Sequence, residues 1–291
     1  MTFYLLLLTV LFSLQSLFCK LFSDNAKCKN PAAVPVLFTV LYGGFIALST
    51  LVFAGFRFSA SPETVYFGLA NGVMLFLYNL SLIKASSQGS YAFTMIAALF
   101  GGVTLPIVSM AALWSERLDA LQWAGIAVML VSFVVINADS LSLKGAKLPF
   151  FLWCACLFAA NGMYGVLMSS QQLVFDGKEH NEMVIITFAV AALIAALFLL
   201  CTQRRDTLRC FRVGVKSGAY AAVCCCVASA AANLLIFLLS RMSVSVLNAV
   251  TNGGTLALSV LYSFLFFKEK PTPTRTCGIA LALAGIVMLS V

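Results

Sequence analysis

Five neutral polar residues fall at steps of three and four near the end of the chain: Ser245, Asn248, Asn252, Thr255 and Ser259. At that spacing they share one face of a helix, with Thr251 beside them. Their surroundings are apolar. An amide left unpaired in hydrocarbon costs roughly 2–7 kcal/mol, so such a stripe faces water, a ligand or other helices rather than lipid. It reads either as the wall of a cavity that hydrogen-bonds a solute or as glue between helices. Two amides on one face beside Gly253 and Gly254 favour the cavity. Candidates for the opposite wall are Asn79, Asn161 with Tyr164 three residues on, and Asn233; Gln15, Asn71 and Tyr78 also stand inside apolar runs. Taken singly, each suits packing as well as it suits a ligand. A site of amides and hydroxyls without fixed charge fits a neutral, zwitterionic or weakly charged small molecule.

Other chemistries lack the residues they need. The chain has one histidine, His180, in a loop, and no HExxH, GxSxG, CxxC or Cys/His ligand spacing. Neither a membrane-embedded enzyme nor a metal or cofactor site is therefore expected. Of the ten cysteines, Cys154, Cys156, Cys224, Cys225 and Cys226 lie in apolar runs, where the thiol behaves as a small hydrophobe. No carboxylate sits clearly mid-run. Glu116 and Glu269 stand at helix ends beside Arg117 and Lys270, where a structural role is expected and coupling to an ion is the alternative.

The elements that must position these side chains are membrane helices. Apolar residues make up 62% of the chain and charged residues 10%, against about 25% charged in soluble domains. A soluble fold could not cover so apolar a chain. The net charge of +8 lies in short loops, which speaks for membrane topology and against nucleic acid. The first apolar run lacks a basic leader and a small-residue cleavage site and is expected to remain as a helix. Ten runs approach the length of about 20 residues that spans a bilayer. They are Thr2–Cys19, Val34–Ala54, Thr64–Ile83, Ser90–Leu113, Leu121–Ile136, Leu148–Met168, Met183–Cys201, Ser217–Leu239, Val244–Phe267 and Thr276–Val291. The third and fourth are parted only by 84–89, and Pro106 predicts a kink in the fourth.

One stretch occurs twice. Residues 114–125 and 267–278 each carry an acidic residue, a basic one, a polar spacer and a glycine before an apolar helix, and Glu269 and Gly278 follow Glu116 and Gly125 by 153 residues. Upstream, Gly101-Gly102 pairs with Gly253-Gly254 at a separation of 152 residues. Two units, 1–140 and 141–291, are expected, each of five helices. An odd number inverts the second unit across the membrane, the plan of many transporters, with the site between the units near the midplane. Fourteen basic residues fall in the odd-numbered loops and four in the even-numbered ones. The positive-inside rule then places both termini outside.

The paired glutamate–basic corners and glycine-bearing helices resemble the EamA-type repeats of the drug/metabolite transporter superfamily, and the resemblance extends to the whole chain in span count and duplication. It implies an all-α carrier of ten helices in two inverted halves, residing in a bacterial inner membrane. In that arrangement helices one, three, four, six, eight and nine surround a cavity, and five and ten pack at the edge. It further implies a small-molecule substrate such as an amino acid or related metabolite, moved by alternating access; flipping of a lipid-linked sugar, or a non-transporting subunit, is the alternative. Members usually keep both termini inside, whereas these charges put them outside. The small multidrug relatives carry an acid in their first helix, where this chain has Ser13, Gln15 and Ser16. That departure speaks against proton-coupled export of cationic drugs.

Overall fold

The computed structural model describes residues 2–25, 33–88, 91–115, 118–138, 147–176, 178–202, 215–239, 241–242, 244–267 and 272–290. Helix takes up 91% of these residues, with no strand among them. Among the described residues ten helices follow one another: α1 (Thr2–Asn25), α2 (Val34–Phe53), α3 (Pro62–Gln88), α4 (Tyr91–Leu113), α5 (Ala120–Asn137), α6 (Leu148–Val174), α7 (His180–Thr202), α8 (Val215–Leu239), α9 (Val244–Phe267) and α10 (Pro273–Ser290). Six of them, α2, α3, α4, α6, α7 and α8, are long and apolar enough to cross a bilayer; α1, α5 and α10 carry shorter apolar stretches. Even the 18 residues of α5 rise about 27 Å, close to the thickness of a bilayer core.

Several helices outrun their apolar stretches. α1 continues from Cys19 to Asn25, α3 through the expected break to Gln88, and α6 from Met168 to Val174. Polar side chains at these ends bond back to helix carbonyls, as Asn25 does to Leu21 at 2.8 Å. Starts are set by capping. Asp119 accepts from the Gln122 backbone N–H at 2.8 Å while Gln122 Oε1 accepts from the Asp119 N–H at 3.3 Å, a reciprocal box that satisfies donors at the start of α5. Pro149 occupies the first turn of α6, where its missing N–H is no loss. Pro106 lies inside the continuous α4. Glu116, Arg117, Glu269 and Lys270 lie outside the described residues.

The packing has an internal regularity. α5 lies on α10, α2 on α7, and α4 on α9; α3 pairs with α6 as α1 does with α8; α4 pairs with α6 as α1 does with α9; α3 pairs with α7 as α2 does with α8. Exchanging every helix with the one five places along leaves these pairings unchanged. The close approaches give the directions. Gly278 meets Ile136 and Gly285 meets Met129, so α5 and α10 run antiparallel. Gly43 abuts Phe188 and Ala192, while Leu37 clusters with Leu199, so α2 and α7 do the same. Gly101 packs on Phe158 and Gly165 on Pro106, making α4 and α6 parallel.

Two glycine contacts match in detail. A Cβ on Gly102 would lie 2.6 Å from Asn161 Nδ2, and one on Gly254 would lie 2.5 Å from Thr9 Cγ2. Asn161 follows Thr9 by 152 residues, as Gly254 follows Gly102. Small residues here let α4 close on α6 and α9 close on α1.

The largest buried cluster joins Leu5 and Leu8 of α1, Ile107 and Met110 of α4, and Met168 of α6. It continues through Leu238 of α8 and Leu247 of α9. These positions belong to the start of α1 and α9 and the end of α4, α6 and α8, which is one end of the bundle, the end carrying the even-numbered connections. The opposite end is packed in smaller separate clusters around Phe22, Leu37 and Phe150.

Candidate functional site

Apolar helix faces account for most of the interior, so the informative side chains are the buried polar ones. Asn71 of α3 has no exposed surface, and neither its Oδ1 nor its Nδ2 has a hydrogen-bond partner. Its place on α3 can be fixed against α6. Thr64 meets Gln171, and twenty-one residues on, Ala85 packs with Phe150, twenty-one before Gln171. In that antiparallel register Asn71, seven residues past Thr64, is level with Tyr164, seven before Gln171. Tyr164 and Tyr42 of α2 lie in the same region of the interior. Tyr42 Oη accepts from Gln15 Nε2 of α1 at 3.0 Å, while Gln15 Oε1 is buried without a partner. Cys224 of α8 donates to the Gln15 carbonyl at 3.3 Å. Tyr42 is flanked by Phe38 and Phe188, with ring centroids at 5.4 and 5.6 Å. Gln15, Tyr42 and Cys224 thus tie α1, α2 and α8 into a polar group set in an aromatic and apolar surround, with Tyr164 of α6 and Asn71 of α3 at its level. Two of its amides, on Gln15 and Asn71, have unfilled hydrogen-bonding capacity.

The residues of the sequence-derived site are distributed as follows. On α9, Asn252 Nδ2 donates to the Asn248 carbonyl at 2.7 Å, and Asn248 Nδ2 is buried without a partner. Thr251 bonds the carbonyls of Leu247 and Asn248 at 2.7 and 3.3 Å. Thr255 is half-buried on the same face; the Ser245 and Ser259 side chains lie outside the described set. Tyr262, three residues past Ser259, continues the stripe, and its hydroxyl meets Ser13 Oγ of α1 at 3.2 Å. The stripe therefore borders α1. Asn161 donates to the Ala98 carbonyl of α4 at 2.7 Å, a bond between helices at the Gly102 approach. Asn233 donates to the Ser229 carbonyl of its own helix at 2.8 Å, and Asn79 is half-buried on α3. Tyr164 is the member of that set that joins the Gln15–Tyr42 group. Tyr42 was not legible as a site residue, because nothing around Leu41-Tyr42-Gly43 marks its face; its partner Gln15, a lone amide in an apolar run, was the available signal.

No group of three or more His, Cys, Asp or Glu side chains that could hold a metal occurs among the described residues.

Residues 150–291 match the EamA-like transporter family. These residues are similar to an EamA-like transporter unit. The resemblance to the drug/metabolite transporter superfamily is borne out over those residues, and the chain is a multi-pass integral membrane protein. The whole chain is similar in fold to a solved crystal structure of a protein, with a TM-score of 0.77 over 99% of this chain and 95% of that one at 18% identity. No curated protein matches the sequence.

Proposed function

We propose that the protein is a secondary carrier of a small polar metabolite, such as an amino acid or a related solute, working by alternating access. Its ten helices cross the membrane as two inverted five-helix units, 1–140 and 141–291, with the substrate between them. The observation that carries this reading is the set of buried amides with unfilled hydrogen-bonding capacity on Gln15, Asn71 and Asn248. They stand inside the bundle of a chain whose residues 150–291 match a transporter family. Amides held in an apolar interior without partners destabilise the protein and are retained where a passing solute completes their bonds. With amides and phenols rather than charges at this level, the solute is neutral or zwitterionic. The exchange pattern of the helices supports the two-unit plan. A two-fold axis in the membrane plane makes equivalent helices antiparallel, as α5 and α10 are, whereas an axis along the membrane normal would leave them parallel. The bias of basic residues supports a bacterial inner-membrane orientation with the even-numbered loops and both termini outside.

The test is uptake and efflux of a labelled metabolite panel by cells expressing the protein, compared with Asn71→Leu and Asn248→Leu variants at matched membrane levels. Loss of a transported solute in either variant supports the site. Normal transport by both refutes it, and accumulation of a lipid-linked sugar instead of a soluble solute would identify a flippase.

A further inference from the structure

Above the polar group, at the end of the bundle that carries the even-numbered connections, a second polar assembly closes the structure. Gln171 and Gln172 occupy the end of α6, Thr64 the first turn of α3, and all three are buried. Gln172 Nε2 donates to Gln171 Oε1. Gln171 Nε2 donates to Thr64 Oγ1 at 3.0 Å and to the Lys178 carbonyl at 3.4 Å. The Thr64 hydroxyl in turn bonds the Glu179 carboxylate. Glu179 Oε2 also accepts from the Ser61 N–H at 3.0 Å and from its hydroxyl at 2.7 Å, and Ser61 Oγ accepts from the Thr64 N–H at 3.3 Å. One chain of bonds thus ties the start of α3 to the end of α6 and to the turn before α7.

Three features mark this chain as something that opens. Glu179 has φ +54°, a left-handed conformation that strains a side-chain-bearing residue and persists only where its surroundings enforce it. Gln172 Oε1 is buried with no partner, so the chain of bonds is unfinished in this arrangement. The equivalent helix pair at the other end, α8 with α1, is joined at the matching level by a bond from Ser217 Oγ to the Phe22 carbonyl at 3.3 Å. Ser217 follows Thr64 by 153 residues, the separation of the two units. Beneath the polar assembly lies the largest apolar cluster. This end is sealed by both, while the described residues of the other end are held more lightly.

We propose that the Gln172–Gln171–Thr64–Glu179–Ser61 chain is a gate, closed in this structure, and that the end of α6 must part from the start of α3 for the even-loop face to open. The proposal rests on the carrier reading for its purpose, but its test needs no substrate. Asn71 lies two turns below Thr64 and is fully buried. In the purified full chain carrying Asn71→Cys, labelling of that thiol by a water-soluble maleimide is followed by peptide-resolved mass spectrometry, which separates it from the native cysteines. Gln171→Leu or Glu179→Ala raises the labelling rate at least tenfold, whereas Glu179→Gln, which keeps an acceptor for Ser61, stays within about threefold of the parent. If Gln171→Leu fails to fold, Thr64→Val, which removes only the hydroxyl bonds, takes its place. Unchanged labelling in variants whose melting shows a folded protein overturns the gate. So does an equal rise on Ser217→Ala, because the reagent would then be entering from the other end. A failure of the transport assay leaves this outcome standing, so the two readings fail separately.

Discussion

The interface between α4 and α6 is set by backbone contact, and this makes Gly101 the most sensitive position to test. A Cβ at residue 101 would stand 2.8 Å from both the Cα and the carbonyl carbon of Phe158, and closer still to its oxygen. All three are backbone atoms of another helix, so no rotamer change relieves the clash. Restoring an ordinary 3.4 Å contact requires the helices to part by about 0.6 Å for the two carbons alone and by more for the oxygen. A gap of 0.5–1 Å forfeits about a quarter to a half of each contact, itself about 0.1–0.2 kcal/mol. Over a few tens of atom pairs the loss is about 1–3 kcal/mol, the usual penalty of overpacking. The separation also strains the Asn161–Ala98 bond of 2.7 Å. Gly44, on α2, supplies the control: a Cβ there meets nothing within 4 Å, and Ala is favoured over Gly in a helix by roughly 0.5–1 kcal/mol. Thermal melting of the purified protein in one detergent should therefore fall for Gly101→Ala and rise slightly for Gly44→Ala. Equal melting temperatures for the two variants would refute the reasoning, since helix propensity would then outweigh interface geometry.

Three further outcomes are expected. Asp119→Ala breaks the capping box of α5 and should lower stability by about 1 kcal/mol, read as a lower midpoint on chemical denaturation; an unchanged midpoint would show that the cap contributes nothing net. The Thr64 hydroxyl and the Ser61 N–H hold the Glu179 carboxyl below its ordinary value of 4.5, so its stabilisation is fully present above that pH and is lost as pH falls through the lowered value. The melting difference between the parent and Glu179→Gln should accordingly shrink only in acid, and a difference unchanged between pH 7 and pH 3 would contradict that. A reporter fused after Val291 should signal from outside the membrane; a cytoplasmic signal would reverse the orientation while leaving the helix packing untouched.

Periodicity and composition made the helices legible, because a membrane span announces itself over a long stretch of apolar residues. Their ends were less legible. The expected end of the sixth span at Met168 missed Ser169 to Gln172, which stay helical and buried, with α3 and the following turn supplying the partners of Gln171. Two glutamines just past an apolar run were a usable sign of a polar contact at the bundle end. The corner around Glu116 was visible as a repeat, but within it the residues with a described local function are Asp119 and Gln122, whose spacing is that of a capping box. At the site, the α9 stripe could be seen because its members are neighbours on one helix. The partner of Asn161 could not, since Ala98 lies 63 residues away and no local pattern reports which helix comes to rest against which.

A carrier built of two equivalent units, as proposed above, needs a reason to rest with one particular end closed. Identical halves would close either end with equal energy. Here Gln171 stands on α6 where the 152-residue separation puts Cys19 on α1, and Thr64 stands where the other unit has Ser217. A thiol cannot donate two bonds as the Gln171 amide does to Thr64 and Lys178. At this level the even-loop end carries the two Gln171 bonds, and the matching level of the other end carries the bond from Ser217 to Phe22. At about 0.5–1.5 kcal/mol net per bond, two or three such bonds shift the equilibrium between the two closed forms by roughly 1–4 kcal/mol. That is about one to three powers of ten in population. In the proposed carrier that bias is small enough for a bound solute to reverse, because a substrate completing the bonds of Gln15 and Asn71 would contribute interactions of the same size. Divergence between the halves at a handful of polar positions is thus sufficient to choose the conformation in which the protein waits, without altering the packing that the two halves share.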